Sequence, residues 1–377
     1  MKKLVAIAAV ASLALVIGES ATAQLKPCPP MRFSAGNGPN GNTVCLNDIE
    51  DWQSRSTAAG VFYANNFNYN NRNEYLDAAH STQYRETSNG VPKLDLETSI
   101  KLTGNGASRH NWIAAEGANE AGPAWNYSFD GPGAKTTNTK KTEFYLQYSM
   151  YVDQGWVDFT YNDGSIKTQI IFNPAVPPFA QGEIVQTRRG RGPWPGGFRV
   201  TNTAQGYQLL WPGGDDTYYT FWDGGPQSEN GETDETSRDL FERRYGPRRR
   251  NQDRTDPDYA NVPQLRGGRW YTFETYVRIG NGENVVKNWF SERGQPPILL
   301  YGLMDAGMRE DEDTYRGAHL INRAENTTVW IDTDTFIIFD EVIVSDNPIN
   351  FPGGYTLPNP GGETPAGWPW ADSQPRN

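Results

Sequence analysis

The stretch from Trp270 to Phe290, WYTFETYVRIGNGENVVKNWF, constrains the fold more than any other part of the chain. Its first half alternates strictly. Tyr271, Phe273, Thr275, Val277 and Ile279 fall on one face, and Trp270, Thr272, Glu274, Tyr276 and Arg278 on the other, because strand side chains point to opposite sides with period two. Gly280-Asn281-Gly282 provides the positive-φ positions of a turn. The segment therefore reads as a hairpin with one apolar face and one polar, aromatic face.

Other segments repeat that pattern. In KTEFYLQYSMYV (141–152), Phe144, Leu146, Tyr148, Met150 and Val152 form the apolar set, opposite Tyr145, Gln147, Ser149 and Tyr151. In SIKTQIIF (165–172), Ile166, Thr168, Ile170 and Phe172 are expected to face inward, and Lys167, Gln169 and Ile171 outward. TFIIFDEVIVS (335–345) is the last strong strand, and shorter strands are expected at 94–102, 109–116 and 296–304. GYQLLW (206–211) and TYYTFW (217–222) read as a hairpin, while 174–197 and 309–328 read as loops. With 39 Gly, 26 Pro and few long helical patterns, the chain is expected to be all-β with long loops.

The N-terminus predicts export. Lys2 and Lys3 precede an uncharged run from Leu4 to Gly18 and a small-residue site, Ala21-Thr22-Ala23. These are the parts of a secretory leader, residues 1–23; the run falls short of the roughly 20 residues of a membrane span. Residues 24–60 read as an arm with a short helix near 48–54, stapled by a Cys28–Cys45 disulfide, since these are the only cysteines of an exported chain. Residues 61–350 form the β domain, interrupted by a charged insertion at 223–268. Residues 351–377 form a Pro/Gly-rich tail. The protein is expected to be secreted or periplasmic, and monomeric. A net charge of −11 argues against nucleic acid as partner.

RWYTFETYVRIGNGENVVKNWF, followed by FIIFDEVIVSDNPI, resembles the C-terminal half of concanavalin A-like jelly rolls. It is most similar to the secreted polysaccharide lyases of that fold that act on alginate, glucuronan or heparin. The resemblance spans roughly 140–350. KTQIIF stands where alginate lyases carry a Gln-x-His strand, with Ile171 in place of the His; RHNWIAAE stands where they carry Arg-x-Glu-x-Arg, with Arg109 matching. The resemblance implies a β-jelly-roll sandwich of two antiparallel sheets and a lyase of uronate-containing polysaccharides that works by β-elimination. Such a reaction needs a partner for the uronate carboxylate, a base for the C5 proton and an acid for the leaving oxygen.

The residue types for that chemistry are Tyr276, His110, Lys167, Gln169 and Arg278 as catalytic candidates, with Arg109, Tyr145, Gln147, Glu274, Trp289, Arg188 and Arg189 holding substrate. His110 is the first candidate base, because an ordinary imidazole titrates near neutrality. His319, flanked by Arg316 and Arg323, is the second. The three histidines lack zinc-ligand spacing, so no cofactor is expected. Asp340-Glu341 and the EDEDT run (310–314) offer oxygen ligands for a structural calcium. Two other functions fit the same surface: a non-catalytic lectin-like binder, and a glycoside hydrolase of the same fold. The hydrolase lacks support from a strand carrying paired carboxylates.

Overall fold

The computed structural model describes residues 46–78, 87–88, 90–112, 123–136, 141–158, 166–172, 183–189, 197–202, 206–210, 265–278, 285–304, 317–324, 334–358 and 360–361. The expected leader, both cysteines, the hairpin partner at 217–222, most of the 223–268 insertion and the EDEDT run lie outside these residues.

Helix α1 (Leu46–Ser56) precedes β1 (Val61–Asn65) and α2 (Arg72–Ala78). A short ladder of β2 (Thr87–Ser88) and β3 (Val91–Pro92) leads into β4 (Leu94–Glu97), β5 (Ala107–Trp112) and β6 (Ala124–Ser128). Then follow β7 (Glu143–Val152), α3 (Gln154–Asp158), β8 (Ile166–Phe172), β9 (Glu183–Arg189), β10 (Gly197–Asn202) and β11 (Gly206–Leu210). The chain ends its regular structure with β12 (Arg269–Arg278), β13 (Val285–Glu292), β14 (Ile298–Met304), β15 (Gly317–Ala324) and β16 (Thr335–Ser345).

Two antiparallel sheets result. The first runs β14-β13-β12-β7-β16-β5-β4, with β1 also on β16; the second runs β11-β10-β9-β8-β15-β6. The chain crosses between them repeatedly, from β5 to β6 to β7 to β8, and again from β14 to β15 to β16. This is an all-β jelly-roll sandwich. The apolar set of β7 meets Phe273, Val277 and Phe339 from its own sheet and Trp125, Ile171, Ala318 and Leu320 from the other. Tyr148 stacks on Phe273 with ring centroids 5.4 Å apart. Among the described residues, no helix is long and apolar enough to cross a membrane.

β12 and β13 pair antiparallel as the expected hairpin, with Thr275 opposite Asn288 and Val277 opposite Val286. Three readings need correction. The supposed loop 309–328 contains β15, and 174–197 contains β9 and the start of β10. In β8 it is Ile171 that lies in the core, fully buried, while Gln169 pairs with core-facing Leu320. The ladder to β9 shifts register between Lys167 and Gln169, and a bulge breaks the alternation that a straight count assumes.

Candidate functional site

The polar face of β7 and β12 is a covered surface. α1 and the segment 346–358 lie over it, and its residues are sealed from water: Tyr145, Gln147, Glu274, Tyr276 and Trp289 are all buried. Tyr145 packs against Tyr276 at 4.7 Å between ring centroids. Around them gather Ile349, Phe351 and Leu357 of the closing segment, with Trp52 of α1 at the margin. The Trp289 indole donates to the Pro358 carbonyl at 2.8 Å, so it holds chain rather than sugar.

Within this layer lies a charged network. Arg55 of α1 donates to Gln147 Oε1 at 2.7 Å, to Glu341 Oε2 at 2.7 Å and to Asp51 at 2.6 Å. Arg293 reaches both oxygens of Glu341, at 2.8 and 3.2 Å. Gln147 donates to Glu274 at 2.6 Å, and the Ile349 amide donates to its other oxygen at 3.1 Å. Glu341 sits at φ 53°, where β16 shifts register against β7 between Asp340 and Ile343. This uncommon backbone conformation turns Glu341 to the same side as Asp340. Burial raises the Glu341 carboxyl, but the two guanidiniums outweigh it and hold the group below its ordinary value. Burial, then the Glu341 charge, push Asp340 well up. Asp340 accepts from the Leu102 and Thr103 amides. With these oxygens engaged by N–H donors and guanidiniums, the Asp340-Glu341 pair does not fit a calcium ion; among the described residues no cluster of His, Cys, Asp and Glu is placed for a metal.

The proposed catalytic roles of the covered residues fall with the covering. Burial, then the hydrogen bond to Glu143, raise the Tyr276 phenol, and its hydroxyl donates to Glu143 at 2.6 Å. No guanidinium or ammonium activates it enough to make a base. Arg278 lies at the end of β12 opposite Glu143. Arg109 is on the first sheet too, bonded to Glu97 and Asn111 and stacked 3.7 Å over the Phe336 ring.

His110 points into the core, as its neighbours decide. Its Nδ1 faces the Pro123 carbonyl at 3.2 Å and must carry the proton; Nε2 then accepts from Ser108 Oγ at 2.9 Å. The Tyr75 hydroxyl completes the chain on Ser108, and the His110 ring meets Phe339 edge-on. Burial lowers His110 to about 3, so it stays neutral and cannot serve a bulk-accessible substrate. The unfolded chain takes up a proton below about 6.5 while the folded one does not. The His110 contribution to stability is therefore lost as pH falls from about 6.5 toward 3, and by pH 5 amounts to a loss of about 2 kcal/mol. Denaturant titrations of wild type and His110→Gln at pH 7 and pH 5 check this. The gap between the two proteins should change by that amount, and an unchanged gap would show that His110 is solvated.

Lys167, Gln169, Arg188 and Arg189 belong to the second sheet, so the candidates expected to share one trough are divided between two sheets. Backbone register in the second sheet makes a different grouping. One row crosses all six strands: Asn126, His319, Ile170, Gln186, Arg199 and Leu209. The rows beside it hold Trp125 with Leu320, and Tyr127 with Ala318 and Ile171, which are core residues. The His319 row thus lies between two rows of core residues. Past a register shift, Lys167 pairs with Arg323 on one side and Arg188 on the other. Asn126 is half-buried, and its Oδ1, shielded from water, has no hydrogen-bond partner.

The sheets also differ in charge. Strands of the second carry Lys167, Arg188, Arg189, Arg199 and Arg323 against the single acid Glu183. Strands of the first carry Asp95, Glu97, Glu143, Glu274, Glu292, Asp340 and Glu341 against Arg109, Arg269, Arg278 and Lys287, so the first sheet is acidic on balance and the second basic. The alternation of GFRVTN (197–202) was the signal for Arg199; its Gly/Pro-rich approach hid it.

No protein-family model matches the sequence, and neither does any curated protein. Solved structures share its outline. A marine PL-14 alginate lyase from Aplysia kurodai is 11% identical, with a TM-score of 0.40 over 67% of this chain and 86% of that one. An alginate lyase from Klebsiella pneumoniae is 9% identical, with a TM-score of 0.36 over 65% and 83%. The catalytic domain of a glycoside hydrolase family 131 protein from Coprinopsis cinerea is 12% identical, with a TM-score of 0.37 over 80% and 99%. Likeness at this level carries no argument about chemistry.

Proposed function

We propose that this protein is an exported polysaccharide lyase whose site is the outer face of the second sheet. One observation carries the reading: the register groups His319 and the cations Lys167, Arg188, Arg199 and Arg323 on one sheet of an acidic protein. A sheet of that charge attracts a polyanion. Guanidiniums suit a uronate carboxylate because they form paired, charge-assisted hydrogen bonds. With the carboxylate neutralised, the C5 proton becomes acidic enough for an imidazole to take. The electron pair left at C5 forms the C4–C5 double bond, the C4–O bond breaks, and the departing oxygen gains a proton. His319 is assigned the proton abstraction, and Arg199 and Arg323 the carboxylate. The leader at residues 1–23 fits this role, since such polymers are met outside the cell.

The test is to incubate the protein with alginate, glucuronan, heparinoid and ulvan, following the ultraviolet absorbance of the unsaturated product. Product from one uronate polymer, and none from a neutral glucan, is the expected result. Retention of a polyanion with no product would move the protein to the lectin-like class. Neither binding nor product with any acidic glycan would end the proposal.

A further inference from the structure

The segment 346–358 is anchored at its start by the Lys141–Asp346 ion pair, the Asp346 amide on Gly60 and the Asn347 side chain on Ala59, and beyond that by the following polar contacts among the described residues. Ile349 donates its amide to Glu274 at 3.1 Å. The Asn350 carbonyl accepts from Gln147 at 3.2 Å. The Gly353 amide donates to Asp51 of α1 at 2.9 Å, and the Pro358 carbonyl accepts from Trp289. Between them the segment folds back on itself, Phe351 bonding to Tyr355 at 2.7 Å, with Gly353 and Gly354 at positive φ. Ile349, Phe351 and Leu357 are buried, whereas residues 353–356 are exposed.

Glu274 is the carboxylate of the sheet face that accepts a strap amide, as Asp51 does from α1. Its neighbours are Gln147 on β7, Thr272 and Tyr276 on β12, and Trp289 directly opposite on β13, with Lys287 at the next pair. Tyr276 spends its proton on Glu143. Arg55 of α1 bonds to Gln147 and Glu341, and its charge offsets only part of the effect of burial on Glu274. Arg293 is likewise turned to Glu341.

We propose that Glu274 makes the C-terminal strap a pH-sensitive cover, closed most tightly in acid and progressively loosened as pH rises into the mildly alkaline range. While the strap is closed, an ionised Glu274 has only an amide N–H and a Gln side chain to replace its hydration. Lifting the strap lets water reach it. Burial accordingly raises the Glu274 carboxyl to about 8. The sign follows: the closed form binds the proton more tightly, so closure is fully favoured below the ordinary carboxylate range, weakens progressively as pH rises from there to about 8, and is level above it. Opening would uncover Tyr145, Gln147, Tyr276 and Trp289, an aromatic and polar surface distinct from the second-sheet face and independent of its chemistry.

Amide hydrogen exchange on the full chain, corrected for intrinsic rate, tests this between about pH 6.5 and about pH 9. Protection at Ile349 and Phe351 should fall by about tenfold across that range, while Ile337, Ile338 and Phe339 in β16 keep theirs. In Glu274→Gln the strap amides should lose this pH dependence. Glu274→Met, which also removes the charge, replaces that variant if it does not fold. Strap protection that is flat with pH in the wild type overturns the proposal. So does an equal fall in the neutral variant, or a fall shared by β16.

Discussion

Glu341→Ala should lower the unfolding free energy by about 3–5 kcal/mol, the range for removing one partner of a buried ion pair. Glu341 is fully buried and is the carboxylate that Arg55 and Arg293 share, at 2.7 and 2.8 Å. Without it Arg293 keeps its position behind Ser149, 3.4 Å away, with its charge uncompensated by that carboxylate. Arg55 retains Asp51. The damage therefore comes mainly from the lost pairing of that carboxylate with Arg293, which leads to a second expectation: Glu341→Leu combined with Arg293→Met should be less harmful than Glu341→Ala alone. Urea titration followed by tryptophan fluorescence measures both. A loss under about 1 kcal/mol for Glu341→Ala, as for an exposed pair, would mean that α1 does not cover the sheet.

His319→Ala should reduce the elimination rate by at least about a hundredfold, the usual weight of a general base, with the unfolding midpoint unchanged. Binding of the polymer should persist, because the cations of β8, β9, β10 and β15 remain. Tyr276→Phe removes only a hydroxyl that bonds to Glu143, and should leave turnover within a few-fold of wild type. Paired measurements of product formation and polymer retention separate these cases. The reverse pattern, with Tyr276→Phe inactive and His319→Ala active, would place the chemistry on the covered sheet and remove the present assignment.

Much of the architecture was legible because burial imposes a period. The alternations in 141–152 and 270–279 each predicted a strand, as did the apolar run in 335–345, and each strand puts apolar residues in the core. A face that packs against another sheet must be apolar at every second residue, and that requirement is written locally. The failures have equally local causes. β15 was hidden because GAHLINRA carries a His and an Arg among small residues, and β8 was read in the wrong phase because a bulge leaves no mark in composition.

The site was far less legible. Tyr145, Gln147, Glu274 and Tyr276 have the residue types of a sugar-binding face, and nothing in their own strands shows that α1 and residues 346–358 lie over them. Polarity on one side of a strand is satisfied equally well by solvent, by ligand or by another part of the chain. The buried Arg55–Glu341–Arg293 set joins residues 286 and 48 positions apart, and only the folded chain brings them within hydrogen-bond distance.

By itself the sequence determined the fold class, the strands with strong alternation and the charge balance, since each depends on residues adjacent in the chain. Tertiary structure alone decided which polar face is covered, which sheet collects the cations, and that His110 is sealed in the core. Those outcomes depend on what packs against a strand from far away, a contact that no local pattern encodes.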